Sequence, residues 1–133
     1  MKGSLLVAVA VGSAAGGVAR YMVGVSVQSR AGMVFPLGTL VINITGSLLL
    51  GFLLRYMLDS AAVSAEMRAL LTTGFCGGYT TFSTFTWESA LLLEEGSYGR
   101  AALYVALSVG IGVIGIFAGM AAAHQLIAAR RGG

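Results

Sequence analysis

The stretch Gly74-Phe-Cys-Gly-Gly-Tyr-Thr-Thr-Phe-Ser-Thr-Phe85 lies within an uncharged run at residues 69–87. Its two adjacent glycines, followed by two threonines, predict a break in an otherwise apolar helix, because glycine and β-branched residues are poor helix formers. If the break lies at membrane depth, the freed backbone groups need protein, water or an ion as partners. Two alternatives stay open: a carbonyl cation site of the kind found in ion filters, or a notch that admits a neighbouring helix.

The composition of the whole chain is typical of a membrane protein. Only 10% of the 133 residues are charged and 57% are hydrophobic, whereas a soluble domain carries about 25% charged residues. A membrane-spanning helix needs about 20 apolar residues, and no segment alternates as barrel strands do. The sequence therefore predicts an all-α membrane protein with one domain, residues 1–133, and four transmembrane helices at about residues 3–27, 37–54, 69–94 and 101–127.

Small residues recur at helical spacing in the first and last predicted spans. Ala8, Gly12 and Gly16 follow one another at intervals of four residues, and Gly115 and Gly119 form a second pair of this kind. Such patterns let helix backbones approach closely in lipid. We therefore expect tight helix contacts at both places.

The charged residues and the single cysteine exclude several classes of function. The eight Lys and Arg residues form no stripe that could follow nucleic-acid phosphates. Cys76 is alone, which excludes an internal disulfide and a cysteine metal site. Because no basic stripe is present, we expect no nucleic-acid partner. Because no nucleophile has a plausible base and no loop could cradle a phosphate, we expect no enzyme.

The predicted loops differ modestly in positive charge. An even number of spans brings both termini and the loop after the second span to one side of the membrane. That side holds Lys2, Arg55, Arg68, Arg130 and Arg131, and the other holds Arg30, Arg100 and, near a helix end, Arg20. The difference is a weak positive-inside bias, compatible with either fixed or mixed insertion.

Three polar side chains of the second span lie on one helical face. Thr39, Asn43 and Ser47 follow one another at intervals of four residues. Such groups often hydrogen-bond across membrane helices, and that alternative stays open for Thr39 and Ser47. Asn43 is more suggestive of function, because its amide has two N–H donors that suit an anion within an apolar wall.

Aromatic and hydroxyl side chains of the third and fourth spans could complete such a site. Phe82 and Phe85 have an ordinary explanation as lipid-facing or core residues. Their ring edges nevertheless carry partial positive charge, which could stabilise a small anion. Hydroxyl donors are available at Ser83, Thr84, Tyr104 and Ser108.

Two charged residues interrupt apolar stretches. An arginine at the centre of a membrane helix costs about 2.5–3.5 kcal/mol, so we expect Arg20 to reach the interface, where it can raise the local anion concentration. Glu88 lies before the end of its helix. Three roles stay open for Glu88: capping polar groups of a neighbour, pairing with a cation, or proton coupling.

Three stretches together resemble the small bacterial fluoride channels of the Fluc or CrcB family. They are Gly12-Ser-Ala-Ala-Gly16-Gly-Val-Ala-Arg20-Tyr21 in the first span, Gly38-Thr-Leu-Val-Ile-Asn43-Ile-Thr-Gly46-Ser47-Leu-Leu-Leu-Gly51 in the second, and residues 74–85 in the third. The third stretch is the most specific. Ser13, Gly17 and Leu48 depart from the family pattern, and none of them is a proposed ion contact.

The resemblance implies an antiparallel, dual-topology homodimer in the bacterial inner membrane, with the third helix broken at mid-membrane and two pores that export fluoride passively. Asn43 would bind the anion beside the ring edges of Phe82 and Phe85. Arg20 would lie at an aqueous vestibule. The path would be lined by Thr39, Ser83, Thr84, Tyr104 and Ser108. A structural sodium ion would be held by the backbone carbonyls of Gly77 and Thr80 from both copies.

Two other functions stay open on the sequence alone. A small multidrug transporter also has four spans and antiparallel pairs, but it needs a membrane-embedded carboxylate, usually in the first helix. The first span of this chain carries Arg20 and no acid. A non-transporting assembly subunit needs only small-residue packing, which leaves the polar face around Asn43 without a role.

Overall fold

The structure, a computed structural model, describes residues 2–32, 34–59 and 63–132. Within these ranges the chain consists of helices and short connections, without a strand. The elements in chain order are α1 (Gly3–Ala31), α2 (Leu37–Leu58), α3 (Ala65–Ala69), a π-helical segment (Leu70–Cys76), α4 (Gly77–Tyr79), α5 (Phe82–Glu94) and α6 (Tyr98–Arg131). The all-α prediction is therefore confirmed.

Three of the described helices, α1, α2 and α6, are long and apolar enough to cross a membrane. They extend beyond the predicted spans: α1 reaches Ala31, α2 reaches Leu58, and α6 begins at Tyr98 and ends at Arg131. Hydropathy identifies only the apolar part of a helix. The helix itself continues until a residue such as Gly32, with a φ of 75°, ends it.

The third predicted span is helical in several pieces. The prediction attributes the break to Gly77, Gly78 and the two threonines that follow them, and of these residues the two glycines are helical. The backbone becomes extended instead at Thr80 (φ −82°, ψ 159°) and Thr81 (φ −149°, ψ 115°). The Thr81 hydroxyl accepts a hydrogen bond from the Thr84 amide at 3.2 Å. Threonine favours extended backbone and caps helices well, so the interruption falls there.

The glycines of this segment allow α1 to pack with backbone against backbone. A Cβ on Gly12 would lie 2.9 Å from the Cα of Gly74, and one on Gly78 would lie 2.6 Å from the carbonyl oxygen of Ser13. Real Cβ atoms essentially never approach so closely. The close packing predicted for the first span is confirmed, and a notch for a neighbouring helix explains Gly78.

A second backbone contact joins α2 to α6. A Cβ on Gly119 would lie 2.7 Å from the amide nitrogen of Phe52, and one on Gly51 would lie 3.0 Å from the Cα of Ile116. Any side chain at Gly51 or Gly119 would therefore push the two helices apart. The tight contact predicted for the last span is confirmed.

Apolar side chains surround a tyrosine where α2, α5 and α6 meet. Leu40, Leu92 and Ala101 are buried around Tyr104, which itself has no exposed surface. A phenol in that position needs a hydrogen-bond partner. The core thereby directs the Tyr104 hydroxyl towards the polar groups of α2 and α5.

Candidate functional site

The carboxylate of Glu88 joins α2, α5 and α6. The hydroxyl of Tyr104 donates a hydrogen bond to Oε2 of Glu88 at 2.6 Å, and the hydroxyl of Thr39 donates to Oε1 at 2.9 Å. Hydrogen bonds to an ionised acceptor are short and strong. Of the three roles left open for Glu88, the geometry therefore supports capping of polar groups on neighbouring helices.

The side chain of Asn43 is paired with the interruption of the third segment. Its Nδ2 donates to the carbonyl oxygen of Thr81 at 3.1 Å, and its Oδ1 accepts from the Thr81 amide at 2.8 Å. The carboxamide thus satisfies both backbone groups of an extended residue. It carries two N–H donors, and the second has no acceptor among residues 2–32, 34–59 and 63–132, so it can serve a further acceptor.

The same pairing changes the backbone bonding around the interruption. In an unbroken α-helix the Thr81 amide would donate to the Gly77 carbonyl, whereas here it donates to Asn43. The Thr80 carbonyl accepts a hydrogen bond from Nη1 of Arg20 at 3.3 Å. Arg20 therefore contacts the interruption, a partner that the sequence does not identify. Of the two carbonyls predicted as sodium ligands, that of Thr80 lies at the interruption and that of Gly77 lies in the preceding helical turn.

Four aromatic rings form a row beside these polar groups. The ring centroids are 5.7 Å apart for Phe82 and Phe85, 5.3 Å apart for Phe85 and Tyr104, and 5.6 Å apart for Tyr104 and Phe35. Phe85 is half-buried against the core. Phe82, in contrast, is 77% exposed, so most of its ring makes no contact within the single chain.

The remaining predicted hydroxyls differ in their surroundings. Ser83 and Thr84 lie in the exposed first turn of α5, where their hydroxyls bond with that of Thr81 at 3.2 Å and 3.0 Å. The hydroxyl oxygen of Ser108 is buried and has no hydrogen-bond partner within the part of the chain that the structure describes. Ser83 and Thr84 therefore belong to the interruption, and Ser108 presents a buried donor.

Two hollows separate the predicted site residues. The Arg20 groove, of about 420 Å³, lies between α1, α2 and α5, and its polar lining includes Arg20, Gln28, Thr39, Thr84 and Glu88. The Asn43 hollow, of about 230 Å³, lies beside the interruption, and its lining includes Asn43, Ser47, Thr80, Thr81 and Phe82. The face predicted for α2 is thus shared, with Asn43 at one hollow and Thr39, one turn away, at the other.

Two residues of this arrangement have no definite role in the sequence analysis. Thr81 provides the backbone that pairs with Asn43, and Glu88 accepts the two hydroxyls. A threonine directly before a helical run is a recognisable helix start, and an acid in an apolar run requires a partner. These two signals are present in the sequence, but neither identifies the residue with which Thr81 or Glu88 forms its hydrogen bonds.

Relatives of the chain carry names that describe ion channels. A protein of Rhizobium meliloti named fluoride-specific ion channel FluC is 44% identical over 119 residues, which cover 90% of this chain and 95% of the relative. Proteins with the same name from Geobacter sulfurreducens and Coxiella burnetii are 45% identical over 121 residues and 47% identical over 116 residues. They share 91% and 86% of this chain, and 98% and 94% of their own lengths. Ion channels are not enzymes, in agreement with the prediction.

Residues 7–120 match the family described as CrcB-like protein, Camphor Resistance (CrcB). Together with the three long apolar helices, this match identifies a multi-pass membrane protein. The resemblance carried by residues 12–21, 38–51 and 74–85 is thereby confirmed: the chain belongs to the CrcB-like protein family.

Proposed function

We propose that the chain is a fluoride-selective channel that lets fluoride leave the cell passively across the bacterial inner membrane. The observation that carries this proposal is the available N–H of Asn43, which Thr81 holds in a hollow that Phe82 also lines. The name of the relatives, fluoride-specific ion channel, agrees with the assignment.

Uncharged donors suit this ion for a physical reason. Fluoride is small and holds its water tightly, so a pore has to replace the hydration shell with closely spaced donors. Conduction also requires that every site release the ion again. The Asn43 amide, the Ser108 hydroxyl and the ring edges of Phe82 and Phe85 offer only partial charges. Ser108 supports this view because its buried hydroxyl is without a partner in the described chain.

The path continues from Asn43 towards Thr39 and Tyr104. Both hydroxyls donate to the carboxylate of Glu88, which occupies the position that an anion would take between them. Fluoride uses these donors when the side chain of Glu88 moves aside and leaves the two hydroxyls free. Glu88 is in this proposal a displaceable substitute for the ion.

The Arg20 groove forms the vestibule of this path. Thr84 lines this groove next to the interruption, and Ser83 lies beside it in the same turn of α5, where its hydroxyl bonds with that of Thr81. The guanidinium of Arg20 raises the local concentration of anions in the groove. Fluoride passes without any covalent step, so the protein contributes only the polar groups along its path.

Two antiparallel copies form the functional unit, each with four spans and a third span broken at mid-membrane. The exposed ring of Phe82 leaves room for a second copy beside the interruption. So does the open surface at Gly77, where an added Cβ would meet no atom closer than 4.0 Å. A two-fold contact brings the same surface of both copies together, so both copies would line each of two pores. The weak charge bias of the loops is compatible with insertion in both orientations.

A structural sodium ion belongs to this proposal, held by the Gly77 and Thr80 carbonyls of both copies. The residues fit a hard cation, because the Gly77 carbonyl has lost the helical donor that Thr81 gives to Asn43. The Thr80 carbonyl accepts from Arg20 within one chain, so this hydrogen bond has to be exchanged when the copies pair. When bound, the ion supplies a fixed positive potential beside the path of the anion.

Fluoride efflux from liposomes tests the proposal. Purified protein is reconstituted into vesicles loaded with fluoride, and an ion-selective electrode follows release, which should exceed that of empty vesicles. Phe82→Ile and Phe85→Ile remove a ring edge and keep an apolar side chain. Each should slow efflux by about twofold to tenfold, taking the ring edge to contribute as much as an edge-to-face aromatic pair, about 0.5–1.5 kcal/mol, and leave the dimer intact. Release equal to empty vesicles rejects the channel, and wild-type rates in both variants reject the role of the ring edges.

The two alternative functions give different results in the same assay. A proton-coupled multidrug transporter would respond to a pH gradient and lose that response in Glu88→Gln, whereas passive efflux of fluoride needs no proton gradient. A non-transporting assembly subunit would release no fluoride at all.

A further inference from the structure

We infer that Gln28 of α1 positions the pore end of α2 by capping that helix from outside, an inference that rests on the proposed channel function. The side-chain oxygen Oε1 of Gln28 accepts a hydrogen bond from the Gly38 amide at 3.0 Å. Its Nε2 donates to the carbonyl oxygen of Phe35 at 3.0 Å and to that of Gly32. One side chain thus joins the end of α1, the connection and the first turn of α2.

The start of α2 requires an acceptor from elsewhere in the chain. The first amide groups of a helix have no helical partners, and a Ser, Thr, Asp or Asn side chain at the N-cap usually accepts from them. Pro36 occupies this position in α2, and a proline side chain carries no acceptor. Gln28 supplies the missing acceptor, and Gly38 is the residue whose amide it satisfies.

Glutamine is the side chain that can make all three contacts at once. Its oxygen accepts and its two N–H groups donate. A glutamate could accept from Gly38 but could not donate to Phe35, and a methionine could do neither. Because both N–H groups of Gln28 are engaged within the chain, the amide has no donor left for an anion. Gln28 is therefore a positioning residue and not an ion ligand.

The helices that Gln28 joins cross in backbone contact. A Cβ on Gly38 would lie 2.8 Å from the carbonyl oxygen of Gly24, one turn before Gln28. The residue after Gly38 is Thr39, whose hydroxyl donates to Glu88 at 2.9 Å. The hydrogen bond that Gln28 accepts from the Gly38 amide therefore fixes the turn that carries the first hydroxyl of the proposed path.

Gln28 also lies where two openings of the structure meet. It lines the Arg20 groove together with Glu88. The same two side chains line a further hollow of about 300 Å³, whose lining also includes Phe35 and Pro36. A shift in the first turn of α2 would therefore alter the polar lining where the proposed path opens.

A double-mutant cycle between Gln28 and Thr39 tests the inference. Gln28→Met keeps the side-chain length and removes all three hydrogen bonds, and Thr39→Val removes the hydroxyl that Gln28 positions. We expect Gln28→Met to reduce fluoride efflux by about fivefold to tenfold alone, but by less than about twofold in the Thr39→Val background, because residues of one network couple. Gln125→Met makes the same exchange at an exposed position of α6 and should leave efflux unchanged.

Two outcomes would overturn the inference: wild-type efflux in Gln28→Met, or losses that multiply in the double variant. A generally loosened fold would produce the second outcome, because its effect does not depend on Thr39. Size-exclusion chromatography checks assembly of each variant. Should Gln28→Met not assemble, Gln28→Asn decides by the same criteria, since it is one methylene too short to reach Gly38 and Phe35 together. Absence of efflux from the wild type would instead reject the channel itself.

Discussion

Exchange of Asn43 for Asp tests the proposal that an uncharged N–H donor binds fluoride, because the two side chains have almost the same shape. The introduced carboxylate can still accept from the Thr81 amide, as Oδ1 does at 2.8 Å. It has no N–H for the Thr81 carbonyl, which now accepts from Nδ2 at 3.1 Å. One hydrogen bond is lost and one buried acceptor is left unsatisfied, so we expect a loss of about 1–3 kcal/mol in the free energy of unfolding.

The effect of this change on fluoride should be larger than its effect on stability. A unit charge about 4 Å from the ion repels it by about 4 kcal/mol at an effective dielectric constant of about 20. Because about 1.4 kcal/mol corresponds to a factor of ten, Asn43→Asp should reduce fluoride occupancy, and with it efflux, by about a thousandfold.

The assay is fluoride efflux from liposomes, with thermal unfolding in detergent as the check on folding. Gln125→Glu makes the same amide-to-acid exchange at an exposed position of α6 and should retain wild-type efflux. If folded Asn43→Asp protein releases fluoride within about threefold of the wild type, no anion passes close to this side chain, and the reasoning from the charge is wrong.

Three further changes test packing, charge and orientation. Gly119→Ala forces a Cβ to within 2.7 Å of the Phe52 nitrogen and should lower the free energy of unfolding by about 1–3 kcal/mol. Gly110→Ala, where a Cβ meets nothing within 4 Å, is the control, and equal melting temperatures would contradict the contact. Hydrogen bonds from its own backbone amide and from the Ser4 hydroxyl, 3.0 Å away, hold the pKa of Glu66 below its ordinary value. The Ser4 contact therefore favours the native state above that pKa and is lost as pH falls through it; Ser4→Ala should raise the pKa in an NMR titration, and an unchanged titration would count against the contact. Versions locked in one orientation by added loop arginines should conduct only when opposite versions are mixed, and activity of one locked version alone would exclude antiparallel pairing.

The faces through which the helices make contact are predictable from the sequence, because the spacing of small residues within a single helix marks each face. Small residues at intervals of four mark a face that a neighbour can approach, and Gly12, Gly16 and Gly119 occupy such faces. The polar face of α2 is predictable for the same reason, since Thr39 and Asn43 differ by four residues.

The position of the interruption is predictable only to within about one turn. Gly77, Gly78, Thr80 and Thr81 all disfavour helix, and tertiary contacts decide among them. Gly78 stays helical against the backbone of α1, while Thr81 pairs with Asn43. The π-helical segment, Leu70–Cys76, is also absent from the prediction, because seven mostly apolar residues carry no clear period.

The hydrogen-bond partners of Glu88 cannot be predicted from a local sequence pattern, because folding brings them together from distant parts of the chain. Thr39 lies 49 residues before it and Tyr104 lies 16 residues after it. The orientation of Arg20 is a similar case, because the Thr80 carbonyl that it contacts is 60 residues away. An acid or an arginine in an apolar run predicts that a partner exists, but the fold alone identifies it.

The central claim is that uncharged donors around Asn43 select and pass fluoride, and the reversal potential of purified protein in a planar bilayer tests it most directly. With fluoride on one side and chloride on the other, we predict a current whose reversal potential follows the fluoride gradient alone, because closely spaced donors replace the hydration shell of the smaller ion. A reversal potential that follows chloride equally, or the absence of any current, would contradict the claim.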